Sequence, residues 1–374
     1  MNLSTSPLAK TNMETKAPTK VFTACKSVTS SDRAIGARRV AAGEATPCFS
    51  IYNERFRKII GESPTLAIEI ELAYPFAHEA GVYLPDLDKI FVTSNQYHDT
   101  TSGTTAIDIT EIKRQSSDGQ WIHKKVERER HGIALANGGV NYRDGVLFCD
   151  QGDHDTPSRL VYVHATLSDE PSILLDNYHG RSFNSMNDVV VKSDGSIWFT
   201  DPIYGFEQGI RPEPQLPSQV YRFDPATGDV RVVADGFGRP NGISFSPDEE
   251  TVYITDTEWI HGDGDINHTR ASTIYAFDVI LRGGADFLAN RRVFAMADAG
   301  IPDGIKCDTD GNVYSGCGDG LNVWGPDGTL LGKMIVPGGV ANFCFARKGE
   351  ILLLNEDKFW VAAISEDVRG ALLR

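Results

Sequence analysis

One unit recurs six times from residue 79 onward, and this repeat constrains the fold more than any other feature of the chain. Each copy opens on a small or polar anchor and runs through a short alternating strand, a turn and a second alternating strand. The copies are EAGVYLPDLDKIFVTS from Glu79, NGGVNYRDGVLFCDQ from Asn137 and NDVVVKSDGSIWFTD from Asn187. They continue with NGISFSPDEETVYITD from Asn241, DGIKCDTDGNVYSGCG from Asp303 and ANFCFARKGEILLLNED from Ala341. Seven residues past the anchor stands Asp86, Asp144, Asp194, Asp248 or Asp310, with Lys348 in the sixth copy. Asp144-Gly145, Asp194-Gly195 and Asp310-Gly311 carry the full hairpin signal, in which glycine is expected to take the positive φ of a tight turn.

The anchors recur every roughly 40–60 residues, a period suited to four-stranded blades with loops of variable length. The segments between copies are themselves strand-like: residues 219–237, QVYRFDPATGDVRVVADGF, read as strand, turn, strand. The expectation is an all-β chain folded as a six-bladed β-propeller of four-stranded blades. Such a ring must close. The alternating run TLAIEIEL from Thr65 is the candidate to complete the last blade, beside the strands after Ala341, which would leave no open sheet edge there. Residues 1–40 have few large apolar side chains and no periodicity, so they read as a disordered or loosely draped arm, with the propeller spanning 41–374. A short helix is expected within IYNERFRKII, from Ile51.

A formal charge of −15 argues against a nucleic-acid partner and against an anionic membrane surface, both of which call for clustered Lys and Arg. A small molecule or a cation suits it better. The six cysteines form no C-x-x-C pair, and several sit inside apolar alternation, so they read as reduced core residues. No apolar run resembles a secretory or transmembrane segment, which leaves a cytoplasmic location as the default expectation.

In a propeller the innermost strands line the axis, so residues at one repeat position converge in space. The anchors are Glu79, Asn137, Asn187, Asn241, Asp303 and Ala341. Carboxylate and amide oxygens suit Ca²⁺, with Mg²⁺, Mn²⁺ and Zn²⁺ as alternative divalent ions; no anchor is His or Cys, the residues Zn²⁺ or copper would prefer. Asn-Gly, Asn-Asp and Asp-Gly are also ordinary turn formers at a strand entrance, whereas Glu79 is not.

The set HEAGVY, NSMNDVVVKSDGSIWFTDP, RPNGISFSPDEETVYITDT and IPDGIKCDTDGNVY resembles the gluconolactonase family, also called SMP-30 or regucalcin-like, with its fungal lactonohydrolase branch. The likeness runs from Glu79 to the C-terminus. It implies a six-bladed propeller with a catalytic divalent ion on the axis, and its ligand positions fall on Glu79, Asn187, Asn241 and Asp303. Asp303 and Asn187 are the candidate catalytic residues. One departure bears on substrate: sugar-lactonase members carry an arginine where this chain has Ser185. Candidate substrate-binding residues are Asn137 on the axis, Ser185, and Gln151, His154 and Tyr204 on rim loops. His78 is expected to point away from the axis by strand alternation, toward the sheet packing. Trp198, Tyr253 and Tyr314 read as inter-blade core, and Asp263-Gly264-Asp265 reads as a solvated turn.

The function expected is a Ca²⁺-dependent hydrolase that opens the lactone ring of a small molecule. The ion would polarise the carbonyl while water or Asp303 attacks it. The alternative keeps the metal and drops hydrolysis, using the pocket to orient a reactive intermediate in a cyclase or cycloaddition. A protein-binding propeller with a purely structural ion is a third reading, disfavoured because the polar anchors lie on the axis and not on a face.

Overall fold

The computed structural model describes residues 20–29, 46–100, 103–115 and 119–371. Six sheets follow one another along the chain, and the innermost strand of each begins within two residues of a repeat anchor. Each innermost strand touches the next, and the last, Asn342–Phe345, touches the first, Glu79–Leu84, so the sheets form a closed ring. This is a six-bladed β-propeller.

Blade one pairs Glu79–Leu84, Lys89–Thr93, Ile109–Arg114 and Trp121–Lys125; blades two, three and four repeat the four-stranded plan. Blade six closes as the alternation of Thr65–Glu71 requires: that strand lies antiparallel to Lys358–Ala363, with Glu71 opposite Lys358 and Thr65 opposite Ala363. The N-terminal region does more than was expected of it. Lys20–Phe22 pairs with the outer edge of Thr65–Glu71, while Cys48–Ile51 adds to blade five and Cys25–Ser27 runs parallel beside it. Residues 20–29 of the expected arm thus cover the outer edges of two blades. Residues 1–19 and 30–40 lie outside the described residues. The helix is Arg55–Ile60, and its Phe56, Ile59 and Ile60 are buried against blade five.

Packing between blades is aromatic and aliphatic. Trp198 meets Phe245 edge-on at 5.3 Å and Tyr314 meets Phe345 at 5.1 Å, joining blade three to four and blade five to six. Cys149, Cys307, Cys317 and Cys344 are buried with free thiols, whereas Cys25 is exposed. No helix among the described residues is long and apolar enough to cross a membrane.

Two of the three Asp-Gly turns behave as expected, with φ of +86° at Gly195 and +82° at Gly311. The third does not. At the turn before Gly145 the positive φ, +52°, falls on Arg143. Gly145 is required for space instead, since a Cβ there would lie 2.2 Å from the Val163 carbonyl oxygen.

Three devices aim the anchors. First, the innermost strands of blades one, two and four shift register beside the anchor, between Glu79 and Val82, Ala136 and Gly139, and Pro240 and Ile243. Such bulges bend a strand and redirect its side chains. Second, a threonine on the second strand of one blade donates to the anchor carbonyl of the next: Thr93 to Asn137 at 3.0 Å, Thr200 to Asn241 at 2.6 Å, Thr255 to Asp303 at 3.0 Å. Third, an aspartate ending that strand accepts the backbone amides just ahead of its own blade's anchor. Asp150 takes Ala134 and Leu135, Asp201 takes Asn184 and Ser185, and Asp256 takes Gly238 and Arg239. Buried backbone groups that would otherwise lack partners are thereby satisfied, and Asn137 and Asn241 are fixed from both sides.

Candidate metal centre

Glu79, Asn187, Asn241 and Asp303 line one cup at one end of the axis, together with Asn137. The cup holds about 950 Å³ of space, part of it open to solvent. Glu79, Asn187 and Asn241 are buried. Two atoms here stand out: Asn187 Oδ1 and Asp303 Oδ1 are buried and make no hydrogen bond within the protein. A buried oxygen without a donor costs about 1–3 kcal/mol, so its presence calls for a partner from outside the chain.

The charges point the same way. Burial, then the charge of Asp303, raises the Glu79 carboxyl to about 8, although His78 and the Asn342 amide favour its ionised form. Burial also raises Asp303, against the pull of His78 and a hydrogen bond from Asn241. Asp188 adds a third buried carboxylate, but its oxygens are occupied by the amides of Val189 at 2.9 Å and Ile243 at 3.2 Å. Two carboxylates crowded out of water beside orphaned amide and carboxylate oxygens form an oxygen-donor set that fits a hard divalent cation.

Three residues that complete this site escaped the repeat reasoning. Asn342 donates from Nδ2 to Glu79 Oε2 at 2.7 Å, and so fixes the face that Glu79 presents. It follows Ala341, and the methyl at the sixth anchor position drew notice away from its neighbour. His78 lines the cup, contrary to the expectation that it would face the sheet packing. The reason is that His78 sits in a bend ahead of Glu79–Leu84, outside the strand, so the alternation on which that expectation rested does not reach it. His78 Nδ1 lies 2.6 Å from Glu356 Oε1, and Asn95 Nδ2 donates to Glu356 Oε2 at 3.2 Å. Burial lowers the imidazole pKa, but Glu356 more than offsets it, and His78 is raised to about 10.

Of the expected substrate contacts, Asn137, Gln151 and Tyr204 line the cup. Ser185 and His154 do not. Ser185 is buried behind the wall, where its hydroxyl donates to the Pro202 carbonyl at 2.8 Å and accepts the Gly205 amide at 2.9 Å. It holds the turn that presents Tyr204. His154 is exposed and its Nε2 lies 3.1 Å from the Gly209 carbonyl, on the outer side of the same loop.

The long loop between the second and third strands of blade four, expected after that blade, supplies Ile260, His261, Gly262 and Gly264 to the wall. Glu207 braces it, accepting Arg239 Nε at 2.9 Å and the Gly262 amide at 2.8 Å. In the same loop Asp263 accepts the Asp265 amide at 3.1 Å, the geometry of a turn. The opposite end of the axis holds a second hollow of about 530 Å³, part of it open to solvent, lined by Tyr83, Val190, Cys307, Phe345, Gly370 and Ala371; none of the four oxygen-donor anchors reaches it.

Residues 136–354 match a family model described as the SMP-30/Gluconolactonase/LRE-like region. The lactonohydrolase oryL of Aspergillus oryzae is 29% identical over 346 residues, covering 86% of this chain and 75% of that protein. The gluconolactonase of Zymomonas mobilis is 31% identical over 213 residues, covering 54% of this chain and 56% of its own length. The solved structure of a gluconolactonase from Xanthomonas campestris superposes with a TM-score of 0.67 at 24% identity, covering 87% of this chain and 97% of that one, and so shares the fold.

Proposed function

Because the chain belongs to the SMP-30/gluconolactonase/LRE-like family, we propose that it hydrolyses a lactone with the help of a divalent cation, best matched by Ca²⁺, held by Glu79, Asn187, Asn241 and Asp303. The observation that carries this reading is the pair of buried oxygens without a donor, Asn187 Oδ1 and Asp303 Oδ1. Relatives named lactonohydrolase and gluconolactonase support the lactone as substrate. Ca²⁺ is preferred over Zn²⁺ because every donor is oxygen, and over Mg²⁺ because Ca²⁺ tolerates irregular geometry.

When bound, the ion supplies a Lewis acid for the ester carbonyl and offsets the charge that develops on its oxygen. The protein supplies the rest. Asn342 and the bulge at Ala80 and Gly81 set the orientation of Glu79. Asp303, with one oxygen spare, accepts a hydrogen bond from the attacking water and aligns it; Asn187 presents the second spare oxygen to the same space. Asn137, Gln151 and Tyr204 border the lactone from blades two and three. Water adds to the carbonyl carbon, the ring C–O bond breaks, and the departing oxygen takes up a proton to leave a hydroxy acid.

The test is acid release from a panel of lactones, followed before chelation, after it, and after Ca²⁺ is restored. Activity should vanish with chelator, return with Ca²⁺, and be lost in Asp303→Ala. Activity that survives complete removal of metal defeats the cation's role, and a product of unchanged mass defeats hydrolysis.

A further inference from the structure

We propose that the substrate is a neutral lactone bearing an aliphatic substituent, and not a polyhydroxylated sugar lactone or an anionic one; this rests on the lactonase reading above. Three features of the cup carry it.

The first is charge. Among the described residues that line the cup there is no lysine or arginine. Its two histidines already face carboxylates, His78 at 2.6 Å from Glu356 and His261 at 3.8 Å from Glu207. With the ion engaged by the ester, a carboxylate or phosphate elsewhere on the substrate would leave water and find no unpaired side-chain cation to replace it, a costly exchange.

The second is the fate of the guanidiniums behind the wall, of which Arg239 is spent on Glu207, donating from Nε at 2.9 Å. Arg211 packs behind the wall beside Ser185 and is spent on the backbone: its Nε donates to the Asn184 carbonyl at 2.9 Å, and its terminal nitrogens donate to the carbonyls of Asp153, Thr156 and Phe183. Ser185 is likewise used up by Pro202 and Gly205. Neither residue offers the forked donor that reads adjacent hydroxyl groups on a sugar ring. The turn they hold carries the Tyr204 ring into the cup instead.

The third is an apolar arc. Ile260 and Ile301, both half-buried, line the cup from the two loops that follow blade four's second and last strands. Those loops are tied together by Ser272 Oγ donating to the Gly300 carbonyl at 2.8 Å. Ile107 lines the cup from blade one, on the far side of the ring. The amides Asn95, Gln96, Gln151 and Gln208 occupy the sectors of blades one to three. The wall therefore divides into a side that suits the ester end of a ligand and a side that suits a hydrocarbon chain.

The experiment compares kcat/KM on the full chain with Ca²⁺ for γ-butyrolactone, γ-valerolactone, γ-hexalactone and γ-octalactone, with glucono-δ-lactone alongside. Each methylene buried against isoleucine should raise kcat/KM by about fourfold, which is about 0.8 kcal/mol per CH₂, until the chain clears the rim. Glucono-δ-lactone should be at least about tenfold poorer than the best alkyl lactone. In Ile260→Asn and Ile301→Asn the gain per methylene should shrink, a slope measured within each variant and so independent of how much active protein it yields. A flat or falling series, a preference for glucono-δ-lactone, or variants that keep the full slope would each overturn the inference while leaving a chelator-sensitive lactonase standing. Failure of every lactone would instead remove the lactonase reading itself.

Discussion

Thr255→Val puts the threonine clamps to a quantitative test. Thr255 is fully buried. Its hydroxyl donates to the Asp303 carbonyl at 3.0 Å and accepts the Gly242 amide at 2.7 Å, so it joins the backbones of two anchors, Asn241 and Asp303, across a blade boundary. Valine keeps the β-branched shape and fills the same volume, so no cavity opens. The cost is the two backbone groups left unpaired. At about 1–3 kcal/mol for each, less a fraction regained by the extra buried methyl, the loss should be about 2–4 kcal/mol. Against a usual total of about 5–15 kcal/mol that is a large fraction. It is read from urea unfolding with chelator present, so that ion binding does not contribute, and beside it Thr227→Val, an exposed threonine, should stay within about 0.5 kcal/mol. Calorimetric Ca²⁺ titration of the folded variant should show weaker binding, since both clamped segments carry candidate ligands. A loss below about 0.5 kcal/mol with unchanged Ca²⁺ affinity would refute the claim that the hydroxyl, and not the shape of the side chain, secures the anchors.

Asn342→Ala removes the donor to Glu79 Oε2 and should weaken Ca²⁺ binding by about tenfold in the same titration, the usual effect of losing an outer-shell partner. His131→Gln addresses pH. Burial and Arg128 hold the His131 pKa down at about 4, while Asp150, Asp108 and Glu129 pull it up, and its Nδ1 accepts the Ile133 amide at 3.1 Å. The unfolded chain takes up this proton near pH 6.5 and the folded one only near pH 4, so the imidazole's contribution is whole above the first value and declines as pH falls toward the second. The difference in unfolding free energy between wild type and His131→Gln should therefore shrink by about 3 kcal/mol across that window; a constant difference would contradict it. Gly195→Ala and Gly145→Ala form a pair. At Gly195 a Cβ meets nothing within 4 Å and only the φ of +86° is penalised, about 1–2 kcal/mol. Gly145→Ala must displace the Val163 carbonyl and should lower the melting temperature further.

The blades were legible because hairpin chemistry and period-two alternation are local, and six copies of one pattern leave little choice of architecture. The ring-closing strand was legible for the same reason, since Thr65–Glu71 alternates and needs a partner. Lys20–Phe22 and Cys25–Ser27 were not: three residues each, mostly exposed, they are strands only because a blade edge already waits beside them. At the site, repeat position brought the anchors together and the family resemblance singled out Glu79, Asn187, Asn241 and Asp303 among them; all four line one cup. What it missed follows from backbone geometry. His78 lies in a bend just ahead of the strand, and no pattern of residue types announces where the alternation begins. Ser185 was named from the family's arginine position and His154 from a rim loop, but both side chains are taken up by the loop that carries Tyr204. Thr93, Thr200 and Thr255 stand 14, 13 and 14 residues past their own anchors, and only their acceptors on the neighbouring blades give them a role.

The pairing of Thr65–Glu71 with Lys358–Ala363 also sets a clock. A ribosome adding about 5–20 residues per second needs roughly 15–60 s to travel from one strand to the other. Throughout that interval blade six has no second, third or first strand, and Thr65–Glu71 waits as an unpaired ribbon of alternating apolar residues, the kind of edge that recruits other chains. Lys20–Phe22 is made before it and can lie along one side from the start. The small exposed strand that looks dispensable in the finished ring is thus the one partner the closing strand has during its own synthesis.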